Sequence, residues 1–139
     1  MDSVIELSKF SAATICEALG NKGNLPSGIK PIAANMKVCG PAYTVQTMPR
    51  DNVLLHRAYA YAKAGDVLIV NCSGFYEAGY WGDLMSLGAK TKGINGLVID
   101  ACVRDPPLGR PPLAPRTQVR PRSSSRHAQR KSQKHPGQS

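Results

Sequence analysis

The chain has 139 residues, a formal net charge of +9 and 42% hydrophobic residues, which is enough material for one domain. No run approaches the ~20 apolar residues that span a bilayer. The N-terminus lacks the basic stretch and long apolar run of a secretory signal. We therefore expect a cytoplasmic protein with no membrane partner.

The positive charge is concentrated after residue 105. Residues 1–105 hold ten Lys/Arg and nine Asp/Glu, whereas residues 106–139 hold eight Lys/Arg and no acidic residue. The nearly neutral first part has no electrostatic reason to bind a phosphate backbone. A nucleic-acid binder working through the tail is one alternative function. The tail has no aromatic residues among its basic ones, so such binding would be non-specific and salt-sensitive.

The composition also changes at residue 105. Residues 106–139 hold seven of the eleven prolines and only three Leu or Val residues. Such a segment cannot bury enough apolar surface to offset its ordering entropy, so we expect a disordered basic tail over 106–139 after a domain over 1–105. An Arg/Pro/Ser-rich run that starts this abruptly is also typical of an out-of-frame reading of a GC-rich coding region. The nucleotide sequence across codons 100–140 tests that hypothesis.

Hydrophobic periodicity and turn residues predict alternating helices and strands. In chain order they predict a helix over 8–19, a loop over 23–31, a strand region over 36–47, a helix over 52–64 capped by Asp51, a buried strand over 67–70, a loop over 73–81, a helix from 82 or 83 to 92, and a buried strand over 97–100. This alternation favours an α/β domain with helices covering a sheet. The four cysteines match no zinc spacing and are expected to be buried, reduced thiols.

Three charged residues, Asp83, Arg104 and Asp105, stand at the ends of predicted elements. Twenty residues separate Asp83 from Arg104, which is room for one helix and one returning strand, so the two ends can meet at one edge of the sheet. Carboxylates suit Mg²⁺ or Mn²⁺. Helix N-terminal amides at Leu84 and Met85 can hold a carboxylate, and an arginine can bind an α-keto acid and stabilise its enolate.

More local interpretations of the same residues remain open. Asp83 can be only a helix cap, and Arg104 with Asp105 only a surface ion pair. Glu77 and the neighbouring aromatic residues can serve packing alone, and His56 can be a residue of a helix surface.

The sequence around these residues resembles the RraA-like family, and more closely its 4-hydroxy-4-methyl-2-oxoglutarate aldolases. Residues 82–85 and 93–105 resemble the family's D-x20-R-D signature, and residues 11–20, 36–45 and 65–70 resemble other family segments in the same order. The resemblance covers residues 5–105. It implies an RraA-like αββα sandwich of the swivelling β/β/α type, assembled as a homotrimer with sites at the subunit interfaces.

The resemblance also implies an activity. It is that of a metal-dependent class II aldolase, which cleaves 4-hydroxy-4-methyl-2-oxoglutarate and related 4-carboxy-2-oxo acids to pyruvate and also decarboxylates oxaloacetate. No lysine Schiff base is required, so Lys90 and Lys92 need no catalytic role. By position, Asp105 would bind Mg²⁺ or Mn²⁺, Asp83 would orient a metal-bound water, the amides of Leu84 and Met85 after Gly82 would hold the pyruvate carboxylate, and Arg104 would bind the keto acid and stabilise the enolate.

The sequence departs from the family pattern after Asp105. The pattern continues with an acidic residue where this chain has Leu108, and its later strands and helices have no counterpart in residues 106–139. We therefore expect a C-terminally incomplete domain whose folding, trimer formation and activity are impaired. An alternative within the same family is a non-catalytic inhibitor of an RNA-degrading endonuclease. The D-x20-R-D residues favour the enzyme, because an inhibitor needs no such constellation.

Overall fold

The computed structural model describes residues 3–34 and 36–104, together with the backbone of residues 2 and 116–119. Its elements are α1 (Asp2–Leu7), α2 (Ala12–Ala18), β1 (Lys30–Pro31), β2 (Ala42–Gln46), α3 (Val53–Tyr61), β3 (Val67–Asn71), β4 (Gly79–Trp81), α4 (Asp83–Thr91), β5 (Gly96–Asp100), β6 (Cys102–Val103) and β7 (Arg116–Val119). This order confirms the expected α/β class.

A mixed five-stranded sheet is the centre of the fold. Its strand order is β1-β7-β5-β3-β2, with β2, β3, β5 and β7 parallel and β1 antiparallel to β7. Residues Gln46, Asn71 and Asp100 stand in one row at the carboxyl ends of β2, β3 and β5. Ligands of α/β proteins usually gather at this edge of a parallel sheet.

The hydrophobic core lies between β3, β5 and the helices α3 and α4. Leu68, Leu97 and Ile99 are fully buried in the strands, and Leu55 of α3 and Ala89 of α4 are fully buried against them. Burial on both faces explains why the two strands are continuous apolar runs, as a parallel sheet covered by helices requires. The two buried strands expected from the sequence are confirmed.

A second, two-stranded sheet lies in a region expected to be a loop. β4 pairs in parallel with β6, with Gly79 opposite Cys102 and Trp81 opposite Val103, so Tyr80 is an extra residue between two ladder positions. The expected loop over residues 73–81 was wrong at its end, and so was the expected loop over 23–31, whose last two residues form β1. Strands of two or three residues have no periodicity of their own and form because a partner backbone is available.

Several predicted helix and strand boundaries were also wrong. α2 begins only at Ala12, because Ser11 caps it by accepting the Thr14 amide at 3.1 Å. α3 ends at Tyr61, and its N-cap is Asn52, although Asp51 Oδ1 accepts the Val53 amide at 2.8 Å.

The strand predicted over residues 36–47 begins only at Ala42. Gly40 lies before it, where the chain passes so close to Gly65 that a Cβ would overlap the Gly65 carbonyl oxygen. A Cβ there would also lie 2.9 Å from Cγ2 of Val67. Glycine at residue 40 permits this close approach of the two segments immediately before β2.

Part of the basic tail has a defined backbone. Arg116–Val119 forms β7, which pairs with β5 on one side and with β1 on the other. For these four residues the structure differs from the expected disorder, because strand pairing uses main-chain groups and requires no apolar period. The other residues of 106–139 lie outside the described part of the chain, so the tail and its boundary at residue 105 stay predictions.

The cysteines are free thiols with different environments. Cys72 is fully buried, whereas Cys16, Cys39 and Cys102 are only half-buried, so the expectation of four buried thiols holds for one. Across the described residues, every helix is too short or too polar to cross a bilayer.

Candidate functional site

The two ends of the D-x20-R-D segment meet in the structure. The backbone amide of Arg104 donates a 2.7 Å hydrogen bond to the carbonyl oxygen of Trp81, two residues before Asp83. Val103, the residue before Arg104, pairs with Trp81 in the small sheet, and this pairing aligns the two segments. Helix α4 and strand β5 fill the sequence between them, as the spacing predicted.

The N-terminus of α4 has a backbone cap and no side-chain cap. Gly82 is the N-cap, in extended conformation with φ −146° and ψ −173°, and its carbonyl accepts the Ser86 amide at 3.0 Å. The amides of Asp83, Leu84 and Met85 precede the first intrahelical bond, so this helix supplies no carbonyl for them. Amides in this position, with the positive end of the helix dipole, favour an anion.

A buried hydrogen-bond chain holds this first turn in place. The indole Nε1–H of Trp81 donates to Oγ of Ser86 at 2.8 Å, and the Ser86 hydroxyl donates to the Gly82 carbonyl at 3.0 Å. The ring of Tyr59 packs edge-on against Trp81, with centroids 6.3 Å apart. Ser86 was not among the site residues predicted from the sequence. A serine four residues after a glycine N-cap is the signal that could have found it.

Two of the three charged residues predicted for the site, Asp83 and Arg104, lie in the described part of the chain, and both are exposed. Asp83 is in the first turn of α4, where the helix dipole stabilises a carboxylate. The aliphatic stem of Arg104 lies directly above Gly79 of β4. The third predicted residue, Asp105, lies outside the described residues, and so does its proposed ion pair with Arg104.

The predicted substrate-binding side chains point to different environments. Met85 is buried in the core, while the side chain of Leu84 is 86% exposed. Their proposed role uses only their backbone amides, which the first turn of α4 places next to Gly82. Side-chain burial therefore neither supports nor opposes that role.

A divalent metal was expected at this site. Within residues 3–34 and 36–104 no three His, Cys, Asp or Glu side chains group together as metal ligands. Asp83 is an exposed carboxylate, a type of ligand that suits Mg²⁺ or Mn²⁺, but one carboxylate is not a complete ligand set. The ligand expected from the family pattern, Asp105, lies outside this part of the chain.

Aromatic residues before α4 mainly pack, as one of the open alternatives held. Tyr80 is buried and its hydroxyl accepts the backbone amide of Arg50 at 2.8 Å. The guanidinium of Arg50 stacks over Phe75, 5.4 Å from the ring centroid. Glu77 and His56 are exposed.

Polar groups also meet at the carboxyl ends of β3 and β5. The hydroxyl of Tyr76 donates to Oδ1 of Asp100 at 2.7 Å, and the thiol of Cys102 donates to the Tyr76 carbonyl at 3.2 Å. Burial, reinforced by the negative charge of Asp100, raises the pKa of Cys72 to about 12. Cys72 is therefore a neutral thiol and a poor nucleophile at physiological pH.

Known proteins are similar to this chain in sequence and in fold. A family model described as "RraA-like: Aldolase/RraA" matches residues 12–109. A Halalkalibacterium halodurans protein provisionally named a 4-hydroxy-4-methyl-2-oxoglutarate aldolase is 36% identical over 105 residues, which are 76% of this chain and 50% of that protein. An uncharacterized Methanocaldococcus jannaschii protein is 43% identical over 101 residues, covering 71% of this chain and 47% of the relative.

Solved structures agree with this match. The crystal structure of Streptomyces coelicolor RraAS2, described as an unusual member of the RNase ES inhibitor RraA protein family, superposes with a TM-score of 0.69 at 33% identity. The alignment covers 84% of this chain and 61% of RraAS2. The expected RraA-like fold is thereby confirmed.

The chain spans about half the length of the two curated relatives described above. The family model nevertheless matches well over half of the residues of this chain. The matched segment, residues 12–109, includes the described residues of the candidate site. On this sequence match and the shared fold, the chain belongs to the RraA-like family, Aldolase/RraA.

Proposed function

We propose that this chain carries a class II aldolase site that cleaves 4-hydroxy-4-methyl-2-oxoglutarate and related 4-carboxy-2-oxo acids to pyruvate, at the impaired rate expected from the sequence. Decarboxylation of oxaloacetate is proposed as a second reaction of the same site. One observation carries the proposal: the 2.7 Å bond between the Arg104 amide and the Trp81 carbonyl, which joins Arg104 to the start of α4. A small dicarboxylic keto acid needs both a cationic group and an amide-lined anion site, and we propose that Arg104 and the first turn of α4 serve as these two groups.

The roles proposed for the residues follow from their positions. The amides of Leu84 and Met85 bind the carboxylate of the pyruvyl part, because they lie in the first turn after Gly82, which has no side-chain cap. The guanidinium of Arg104 binds the keto acid and stabilises negative charge as the enolate develops. Asp83, exposed beside these amides, orients a water molecule and accepts or returns a proton.

A divalent cation belongs to the proposal, with Asp105 as its direct ligand. Mg²⁺ or Mn²⁺, when bound, supplies Lewis-acid polarisation of the keto oxygen. Support comes from the carboxylate chemistry of Asp83 and from the sequence position of Asp105 immediately after Arg104. Assembly as a homotrimer is proposed on the family resemblance alone.

Measurement of pyruvate release from the purified full chain tests the proposal. The substrates are oxaloacetate and 4-hydroxy-4-methyl-2-oxoglutarate with added MgCl₂, and pyruvate is followed by coupled NADH oxidation. We expect Asp105→Ala to reduce the rate by at least about 10²-fold, since even indirect supports of a metal ligand contribute 10- to 100-fold. Glu6→Gln, which alters an exposed carboxylate of α1, is the control and keeps the original rate.

Two outcomes of this experiment contradict the proposal. One is the absence of pyruvate release above the uncatalysed rate with either substrate in the presence of MgCl₂. The other is a rate that Asp105→Ala leaves equal to that of the Glu6→Gln control.

Inhibition of an RNA-degrading endonuclease is the second candidate function. The observation that favours it is the similarity to Streptomyces coelicolor RraAS2, at 33% identity. Addition of the full chain to an RNase ES cleavage reaction separates the two functions. If Asp105→Ala inhibits that cleavage as well as the original chain does, and neither chain releases pyruvate, the inhibitor is the correct function.

A further inference from the structure

Gly79 of β4 lies directly beneath the side chain of Arg104. A Cβ atom at residue 79 would overlap Cγ of Arg104 and would lie 2.8 Å from its Cδ. The Cβ of Arg104 would be 3.6 Å away, which is an ordinary van der Waals contact. The close approach therefore involves the stem of the arginine and leaves its attachment to the backbone unaffected.

The side chain of Arg104 needs such a contact to have a defined direction. Arg104 is exposed, and an exposed arginine samples many rotamers that must be given up when it binds a ligand. Its backbone is fixed by the bond to Trp81, and its stem rests on Gly79, so β4 holds it at two points. Only the guanidinium end extends beyond this contact.

We propose that Gly79 is a positioning residue for Arg104, whose guanidinium it aims at the keto acid by leaving room for the arginine stem. This inference rests on the proposed function of Arg104. The adjacent bulge supports it: with Tyr80 as the extra residue, the ladder pairs Gly79 with Cys102 and Trp81 with Val103, and Arg104 follows directly. Any side chain at residue 79 displaces the stem and hence the guanidinium.

A double-mutant cycle in the full chain tests the inference. We expect Gly79→Ala to reduce kcat/KM for oxaloacetate on the order of 10²-fold, the effect of misplacing a group by about 1 Å. The loss should divide between KM and kcat as it does for Arg104→Ala. In the Arg104→Ala background the matched change Gly79→Ala should alter kcat/KM by less than about twofold. Alanine at residue 104 has no Cγ or Cδ, so the new Cβ at residue 79 would contact only the Cβ of residue 104.

The mobility of the arginine gives a readout that does not depend on activity. The ¹⁵N–¹H heteronuclear NOE of Arg104 Nε, assigned by its loss in Arg104→Ala, reports motion of the side chain. We expect a high NOE in the original chain and a low one in Gly79→Ala. A merely structural role of Gly79 would lower the melting temperature without this selective change.

The outcomes separate this inference from the proposed function. An NOE that Gly79→Ala leaves unchanged overturns the inference, and so does an equal loss of kcat/KM in both Arg104 backgrounds. If the original chain releases no pyruvate, the proposed function fails. If the NOE still changes in that case, Gly79 orients Arg104 for a role other than keto-acid binding, and the keto-acid part of the inference is refuted together with the proposed function.

Discussion

The indole N–H of Trp81 donates a 2.8 Å hydrogen bond to the hydroxyl of Ser86, and both side chains are buried. The same hydroxyl donates to the carbonyl of Gly82. This pair therefore ties the strand that receives Arg104 to the helix whose first amides are proposed to bind the substrate. Rigid support of this kind keeps binding groups within the small tolerance that catalysis requires.

Removal of the Ser86 hydroxyl should destabilise the fold. Ser86→Ala leaves the buried Trp81 N–H without its acceptor, and we expect a loss of about 1–3 kcal/mol in the free energy of unfolding. Thr91→Ala is the matched control, because Thr91 also bonds a helix carbonyl but is exposed; its effect should stay within about 0.5 kcal/mol. Urea unfolding measures both, and equal losses would refute the structural role of the buried bond.

Two leucine substitutions should differ sharply. Leu55 is fully buried in the core, so Leu55→Ala should lower the free energy of unfolding by about 2–5 kcal/mol. Leu84 is 86% exposed, and Leu84→Ala should cost less than about 0.5 kcal/mol. Leu84→Ala should also keep pyruvate release, because alanine retains the backbone amide. A large loss of activity in Leu84→Ala would mean that its side chain, and not its amide, serves the substrate.

Asp83→Asn should separate activity from stability. The substitution keeps the shape of the side chain and removes its charge, so the helix loses only a dipole interaction of about 0.3–1 kcal/mol. Pyruvate release should fall about 10- to 100-fold if Asp83 orients the water molecule. Thermal unfolding and the coupled pyruvate assay measure the two effects. Unchanged release with the same stability would leave Asp83 as a helix-terminal residue alone.

Cys72 should make the stability depend on pH in the alkaline range. Its pKa rises from 9.0 in the unfolded chain to about 12 in the fold, mainly through burial and secondly through Asp100. Between these values the unfolded chain releases the proton and the folded chain retains it, so stability is complete below pH 9 and declines towards pH 12. Cys72→Ala should show a shallower decline of melting temperature above pH 9, and identical slopes would contradict the shift.

The sequence predicted best those elements whose own side chains determine them. The strand over 67–70 and the strand over 97–100 are apolar runs that need no information from elsewhere, and both are present. β1, β4, β6 and β7 were missed, because each is a short strand that exists through a partner's main chain. The bond between Trp81 and Arg104 agrees with the prediction from the spacing of Asp83 and Arg104. One helix and one strand running back beside it fill the twenty residues between them and bring their two ends together.

Contacts within the site could not be predicted in the same way. The hydrogen bond from Trp81 to Ser86 and the packing of Arg104 on Gly79 depend on the paths of individual side chains, which composition and periodicity do not specify. From the sequence alone, Gly79 is one of the two glycines in the predicted loop over residues 73–81, and nothing there distinguishes it from the other. The role of Asp105 stays a prediction from the family pattern.

Trp81 is the one tryptophan of the whole 139-residue sequence. It is buried, its indole bonds the first turn of α4, and its carbonyl receives the Arg104 amide. The tryptophan fluorescence of the protein, excited selectively at its long-wavelength absorption edge, therefore originates at one point beside the candidate site. A titration with oxaloacetate or MgCl₂ can be followed optically on the unlabelled chain, and the same signal reports when the surrounding core opens.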